Sequence, residues 1–130
     1  MVCGRRSVLF ASSQNHLQKM NLLSKKCVPC EGGVQPLGAD EIAKYLSEIH
    51  GWKNIENKKI RKEFVLPNFL KTIAFVDKIA LLAENEGHHP DMIISYNNLA
   101  IEIFTHAVGG LSENDFILAA KIDELLSSFL

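Results

Sequence analysis

The 130-residue chain lacks several things that would have named a class at once. It has no run of about 18 apolar residues, so no membrane span is expected. Its net charge of −1 gives no global attraction for nucleic acid. It has three cysteines, Cys3, Cys27 and Cys30, and only one C-x-x-C, Cys27-Val-Pro-Cys30. A structural zinc site usually takes two such pairs. A thioredoxin-type site needs a helix after the motif, whereas Glu31-Gly-Gly-Val-Gln-Pro36 follows. There is no H-E-x-x-H and no internal repeat. The first 30 residues contain no acid at all, although they carry Arg5, Arg6, Lys19, Lys25 and Lys26. An acid-free, Ser-containing start suits a mitochondrial or other organellar presequence. The alternatives are a non-specific tail and a cytoplasmic protein. The apolar run Val8–Ala11 is too short for a secretory signal, and few cysteines without such a signal suit a reducing compartment.

What is present is an ordinary globular composition, 47% hydrophobic and 22% charged, enough for one domain. Residues 31–38 form a Gly/Pro linker. Residues 1–36 are expected to be tail and linker, and residues 37–130 the folded domain. In Asp40–His50, the residues Ile42, Tyr45, Leu46 and Ile49 give one apolar helical face, with Gly51 as its stop. A polar turn at Asn54–Asn57 precedes a strand over Lys59–Leu66. There Ile60, Phe64 and Leu66 share a face and Lys62 is the exception. Asn68 caps a helix over Phe69–Glu86, whose polar stripe is Lys71, Lys78 and Asn85, and Gly87 ends it.

Met92–Tyr96 and Leu99–Thr105 read as strands joined by a turn at Asn97-Asn98. On the second strand Leu99, Ile101, Ile103 and Thr105 share one face; Glu102, Phe104 and His106 share the other. Ser112 is the N-cap and Asp115 the N3 residue of a last helix running to Phe129. The element order is α-β-β-α-β-β-α. This predicts an α+β fold, a four-stranded antiparallel sheet with three helices packed on one face.

Three of the five histidines fall between Glu86 and Phe116. His88 and His89 are pinned between a helix end and Pro90, which disfavours helical backbone at His89. With the hairpin turn at Asn97-Asn98, His89 faces His106, and the helix carrying Asp115 starts nearby. Imidazoles titrate near neutrality, so one ring can donate a proton while another accepts one. Such a set suits an elimination that protonates a hydroxyl and deprotonates a neighbouring N–H, each transfer contributing roughly 10²–10⁴ in rate. A zinc site of His88, His106 and Asp115 is the competing arrangement. The bland alternatives are packing histidines, a capping Asp115 and a solvated Glu84.

These residues also resemble a family. Glu84-Asn-Glu-Gly-His88-His89-Pro90, Tyr96-Asn97, Thr105-His106 and Gly110-Leu111-Ser112-Glu113-x-Asp115 are similar to the pterin-4a-carbinolamine dehydratases in both type and spacing. Gly51-Trp52, Phe64 and Ala74-Phe75 fit too, and the Cys27–Cys30 lead-in resembles organellar or bacterial-type members. The resemblance spans about residues 27–130. It implies a four-stranded antiparallel sheet with helices on one side, and dehydration of 4a-hydroxytetrahydrobiopterin to quinonoid dihydrobiopterin without metal or cofactor. That step recycles the pterin of aromatic amino-acid hydroxylases. It implies His88, His89, His106 and Asp115 as catalytic set. The pterin contacts would be His88, His89, Pro90, His106 and Glu84. His88 and His106 would transfer protons, His89 would orient the ring, and Asp115 would fix the tautomer of His106. A dimer or tetramer is implied as well. Two other roles stay open: assembly or dimerisation of another protein, and action on a folate- or molybdenum-cofactor-related pterin. The departure is Met92, where many members have an aromatic residue; a thioether packs on a ring edge but stacks less well.

Overall fold

The computed structural model describes residues 22–29 and 34–129. Its sheet has the order β1-β2-β4-β3, all antiparallel, built from β1 (Lys53–Ile55), β2 (Lys59–Val65), β3 (Asp91–Ser95) and β4 (Asn98–Ile103). Among the described residues, helices α1 (Ala39–Leu46), α2 (Phe69–Glu86) and α3 (Glu113–Phe129) complete the expected α+β fold. Alternation decides the inner face. Ile60 pairs with Ile103, and Phe64 with Leu99, and all four are buried. Phe64 meets Phe75 of α2 edge-on at 5.6 Å, and Tyr45 of α1 stacks on Phe116 of α3 at 5.0 Å. These aromatic pairs join the helical layer to the sheet and the helices to one another. Lys62, the polar exception on the inner face, reaches the sheet end. Its ammonium donates to Asp123 Oδ1 and to the His50 carbonyl, each at 2.8 Å, while Asp123 Oδ2 accepts from the Trp52 indole at 3.0 Å.

The caps follow the sequence. Asn68 Oδ1 accepts from the Lys71 N–H at 2.8 Å, and Gly87 ends α2 at φ 68°. Strand β2 stops at Val65 rather than Leu66 and β4 at Ile103 rather than Thr105, and three boundaries shift with more consequence. First, α1 ends at Leu46, not His50; Ile49 stays buried through a tighter turn, its N–H reaching the Leu46 carbonyl. Second, β1 takes Asn54 and Ile55 from the stretch expected to be a turn, and the bend falls at Glu56 and Asn57, both at positive φ.

Third, the β3–β4 turn is Tyr96-Asn97 rather than Asn97-Asn98. Ser95 pairs with Asn98 and Asp91 with Glu102, a slip of two residues. A slip of two keeps every side chain on its face, so hydrophobic alternation could not detect it. The cause is long-range: the Asn97 carbonyl accepts from the Leu66 N–H at 2.8 Å, and its side-chain amide donates to the Leu66 carbonyl at 3.1 Å. Tyr96 accepts a left-handed φ of 54° in consequence.

Part of the stretch expected to be tail and linker packs on the domain. Leu22 and Cys27 are buried within the main hydrophobic cluster. Of the acid-free stretch expected to be a presequence, residues 1–21 and Cys30 lie outside the described residues. Among the described residues, no helix is long and apolar enough to cross a membrane.

Candidate active site

Three chain segments converge on one carboxylate. Asp115 sits in the first turn of α3 and is fully buried. Its Oδ2 accepts from the Ser112 N–H at 2.8 Å, the N3-to-N-cap half of a capping box. The same oxygen accepts from Thr105 Oγ1 at 2.9 Å, and Thr105 Oγ1 in turn lies 2.8 Å from Ser112 Oγ. Oδ1 faces His88 Nε2 at 2.7 Å. A buried carboxylate is tolerable only with such partners, and here both oxygens are hydrogen-bonded.

This pairing fixes the chemistry of His88. A carboxylate can only accept, so Nε2 carries the hydrogen. In the neutral ring Nδ1 then holds the lone pair. His88 is placed by the end of α2, where its N–H donates to the Ala83 carbonyl at 3.2 Å, just after left-handed Gly87. The ring is largely buried, with a side-chain exposure of 12%.

The other candidates are arranged differently. His89 is exposed, and its Nε2 lies 2.5 Å from Glu84 Oε2. An exposed pair of this kind is screened and adds little stability, but it orients the ring. Pro90 is half-buried directly before β3. His106 is not a strand residue. It opens a short 3₁₀ turn, His106–Val108, is exposed, and lies against Phe104 at 4.4 Å between ring centroids.

Two expectations are therefore corrected. Continuing the β3–β4 register outward sets Phe104, not His106, opposite His89. And Asp115 holds His88 rather than His106. The link to His106 is through the backbone: Thr105, its neighbour, delivers the hydroxyl to Asp115. Among the described residues, no group of three His, Cys, Asp or Glu side chains is placed to hold a metal ion, so His88, His106 and Asp115 do not form the competing zinc set. Met92 is half-buried and packs against the core cluster.

Sequence reading missed Thr105 as part of this network. The signal was there: a hydroxyl at the end of the apolar face Leu99, Ile101, Ile103 must find a buried partner. It also missed Glu86, Cys27 and Asn114. Glu86 is buried beside the site, accepting from the Cys27 N–H at 2.9 Å and from Lys121 Nζ at 2.6 Å. Burial works to raise the Glu86 pKa, but the Lys121 and Cys27 hydrogen bonds outweigh it and hold the carboxyl below its ordinary range. Burial, aided by the neighbouring Glu86 charge, pushes the Cys27 thiol up to about 12. A thiol so held stays protonated at neutral pH and is a poor nucleophile.

Fold and site together define an α+β protein with a histidine–carboxylate pair suited to proton transfer. The comparisons with known proteins carry this further. Residues 35–125 match the family model described as pterin 4 alpha carbinolamine dehydratase. A protein of Alkaliphilus metalliredigens named as a candidate pterin-4-alpha-carbinolamine dehydratase is 47% identical over 105 residues, covering 80% of this chain and 95% of the relative. Its counterpart from Nitrosospira multiformis is 50% identical, covering 81% and 92%. Among solved structures, a transcriptional coactivator/pterin dehydratase from Brucella melitensis superposes with a TM-score of 0.67 at 27% identity, over 70% of this chain and 98% of that one. A pterin dehydratase-like protein identified as a RuBisCO assembly factor in the alpha-carboxysome gives 0.50 at 27% identity, over 58% and 89%. The chain belongs to the pterin-4a-carbinolamine dehydratase family.

Proposed function

We propose that this chain dehydrates 4a-hydroxytetrahydrobiopterin to quinonoid dihydrobiopterin and so recycles the pterin of aromatic amino-acid hydroxylases. The observation that carries this reading is the buried Asp115 carboxylate, which fixes the Nε2–H tautomer of His88 and frees Nδ1 for proton exchange. In the reaction the C4a–O bond breaks, the hydroxyl leaves as water after taking up a proton, N5 gives up its proton, and a C4a=N5 double bond forms. No electron is transferred, so two positioned acid/base groups suffice. His88 and His106 are the candidates for those two transfers. His89, oriented by Glu84, is the candidate for holding the pterin ring, with Pro90 setting the approach of the chain. Asp115 touches His88, not the reacting atoms, and is a positioning residue.

The test is stopped-flow dehydration of 4a-hydroxytetrahydropterin by wild type and by His106→Ala. Acceleration by wild type, with a loss of roughly 10²–10⁴ in the variant, is expected. His106 is exposed, so the fold should survive the change. A folded wild type that gives no acceleration would sink the reading.

A second reading is a protein-assembly role. It is favoured by the likeness to the RuBisCO assembly factor and by exposed apolar side chains: Val65 and Ile93 on the sheet, and Leu70 and Leu81 on α2. Homo-oligomerisation would cover the same positions.

A further inference from the structure

Residues 25–28 touch both walls of the histidine site. Lys25 Nζ pairs with Glu113 Oε2 at 2.5 Å, at the start of α3. Lys26 Nζ donates to the Asn85 carbonyl at the end of α2. The Cys27 N–H returns to α2, donating to Glu86 Oε1 at 2.9 Å, while its Sγ lies 3.6 Å from the Asn114 carbonyl. At Val28 the Asn114 side chain closes a two-point clamp: Oδ1 accepts the Val28 N–H at 3.1 Å, and Nδ2 donates to the Val28 carbonyl at 2.6 Å. Leu22 anchors the near end in the core, fully buried.

The geometry of these contacts is a stitch. Asn85 and Glu86 lie just before His88, and Glu113 and Asn114 lie just before Asp115. The 2.7 Å His88–Asp115 contact crosses the same seam between the end of α2 and the start of α3. The strap closes that seam by binding the pair's own sequence neighbours, Asn85 and Glu86 on one side and Glu113 and Asn114 on the other. Its partners are largely buried, because Glu86, Glu113 and Asn114 are all core residues of this junction. Buried hydrogen bonds of this kind are costly to leave unmade, so they resist separation of the two helix ends. Lys121 ties Glu86 to α3 as well, so the strap and α3 hold the end of α2 together.

We infer that Asn114 and Glu86 are positioning residues for the acid/base site, and that the segment Leu22–Pro29, docked on them, sets the distance between His88 and Asp115. This rests on the proposed role of His88, and it assigns to the chain ahead of the dehydratase domain a part in the reaction. Proton-transfer geometry is sensitive: displacement by about 1 Å can cost up to about 10²-fold in rate.

The test compares full-length wild type, Asn114→Ala and Val28→Pro. The first removes the clamp from α3. The second removes the Val28 N–H donor from the strap and leaves α3 untouched, so it decides the matter if Asn114→Ala fails to fold. Two readouts are taken: steady-state dehydration of 4a-hydroxytetrahydropterin, and the ring ¹⁵N resonances of His88. The expected result is a kcat lower by about 10- to 100-fold with KM changed by no more than about twofold, together with loss of the single Nε2–H tautomer signature. A structural role alone would lower stability and leave the His88 resonances and kcat of the folded fraction unchanged, and that result overturns the inference. If wild type itself does not accelerate dehydration, the functional proposal fails, while the His88 resonances still decide whether the strap sets the pair.

Discussion

Asp115→Asn is the sharpest perturbation the structure offers, because the side chain keeps its shape and only the direction of hydrogen bonding changes. Three donors converge on Asp115: the His88 Nε2–H, the Thr105 hydroxyl and the Ser112 N–H. An amide supplies one oxygen and one NH₂, so it cannot accept all three. The Ser112 N–H is fixed backbone, and Thr105 shares the same oxygen. The amide oxygen therefore stays with that pair and the NH₂ turns to His88. Nε2 must then present its lone pair, and the ring proton moves to Nδ1, the atom proposed to exchange protons with the pterin. Exchanging a hydrogen bond to a charged group for a neutral one inside the fold costs about 1–1.5 kcal/mol, the difference between the two kinds of bond. For a domain of this size that is a fall in Tm of roughly 4–10 °C. The catalytic loss is larger, about 10²–10⁴ in kcat, as expected when a histidine is held in the wrong tautomer. Stopped-flow dehydration at a temperature well below the variant's Tm separates the two effects, and ¹⁵N spectra of His88 report the tautomer. A folded variant with a rate within about threefold of wild type and an unchanged Nε2–H signature would refute the argument.

Glu86→Gln should flatten the acid side of the stability profile. The folded carboxyl titrates below its ordinary value, so its contribution is full above an unfolded pKa of about 4.3 and is lost as pH falls through the folded value. Urea unfolding of both proteins at neutral pH and near pH 3 tests the sign: the gap between them should close in acid, and a gap that widens there contradicts it. Gly87→Ala should destabilise by about 1–2 kcal/mol through backbone strain alone, since φ is 68° and nothing lies within 4 Å of an added Cβ. Gly87→Asn should cost less, because Asn tolerates the left-handed region. Equal melting temperatures for Gly87→Ala and wild type would show that the α2 terminus relaxes freely.

The divide between sequence and tertiary structure runs through particular residues. Local chemistry alone determined most element types, though not β1 or the 3₁₀ turn at His106, together with the Asn68 and Gly87 caps, the Ser112–Asp115 turn and the inner face carrying Ile60, Phe64, Leu99, Ile101 and Ile103. Each depends on neighbours within four residues or on a period of two or 3.6, which a sequence displays directly. The candidate list His88, His89, His106 and Asp115 was likewise legible as a set of residue types at fixed spacings. Who partners whom was not. The slip of the β3–β4 hairpin leaves every face unchanged and is decided by Asn97 meeting Leu66, 31 residues away. The choice of His88 over His106 as the partner of Asp115 depends on how the end of α2 meets the start of α3, 27 residues apart. The strap is more remote still: Cys27 reaches Glu86 and Val28 reaches Asn114 across 59 and 86 residues. Contacts at such separations leave no periodic trace in the chain, because they are selected by the packing of whole elements rather than by the residues on either side.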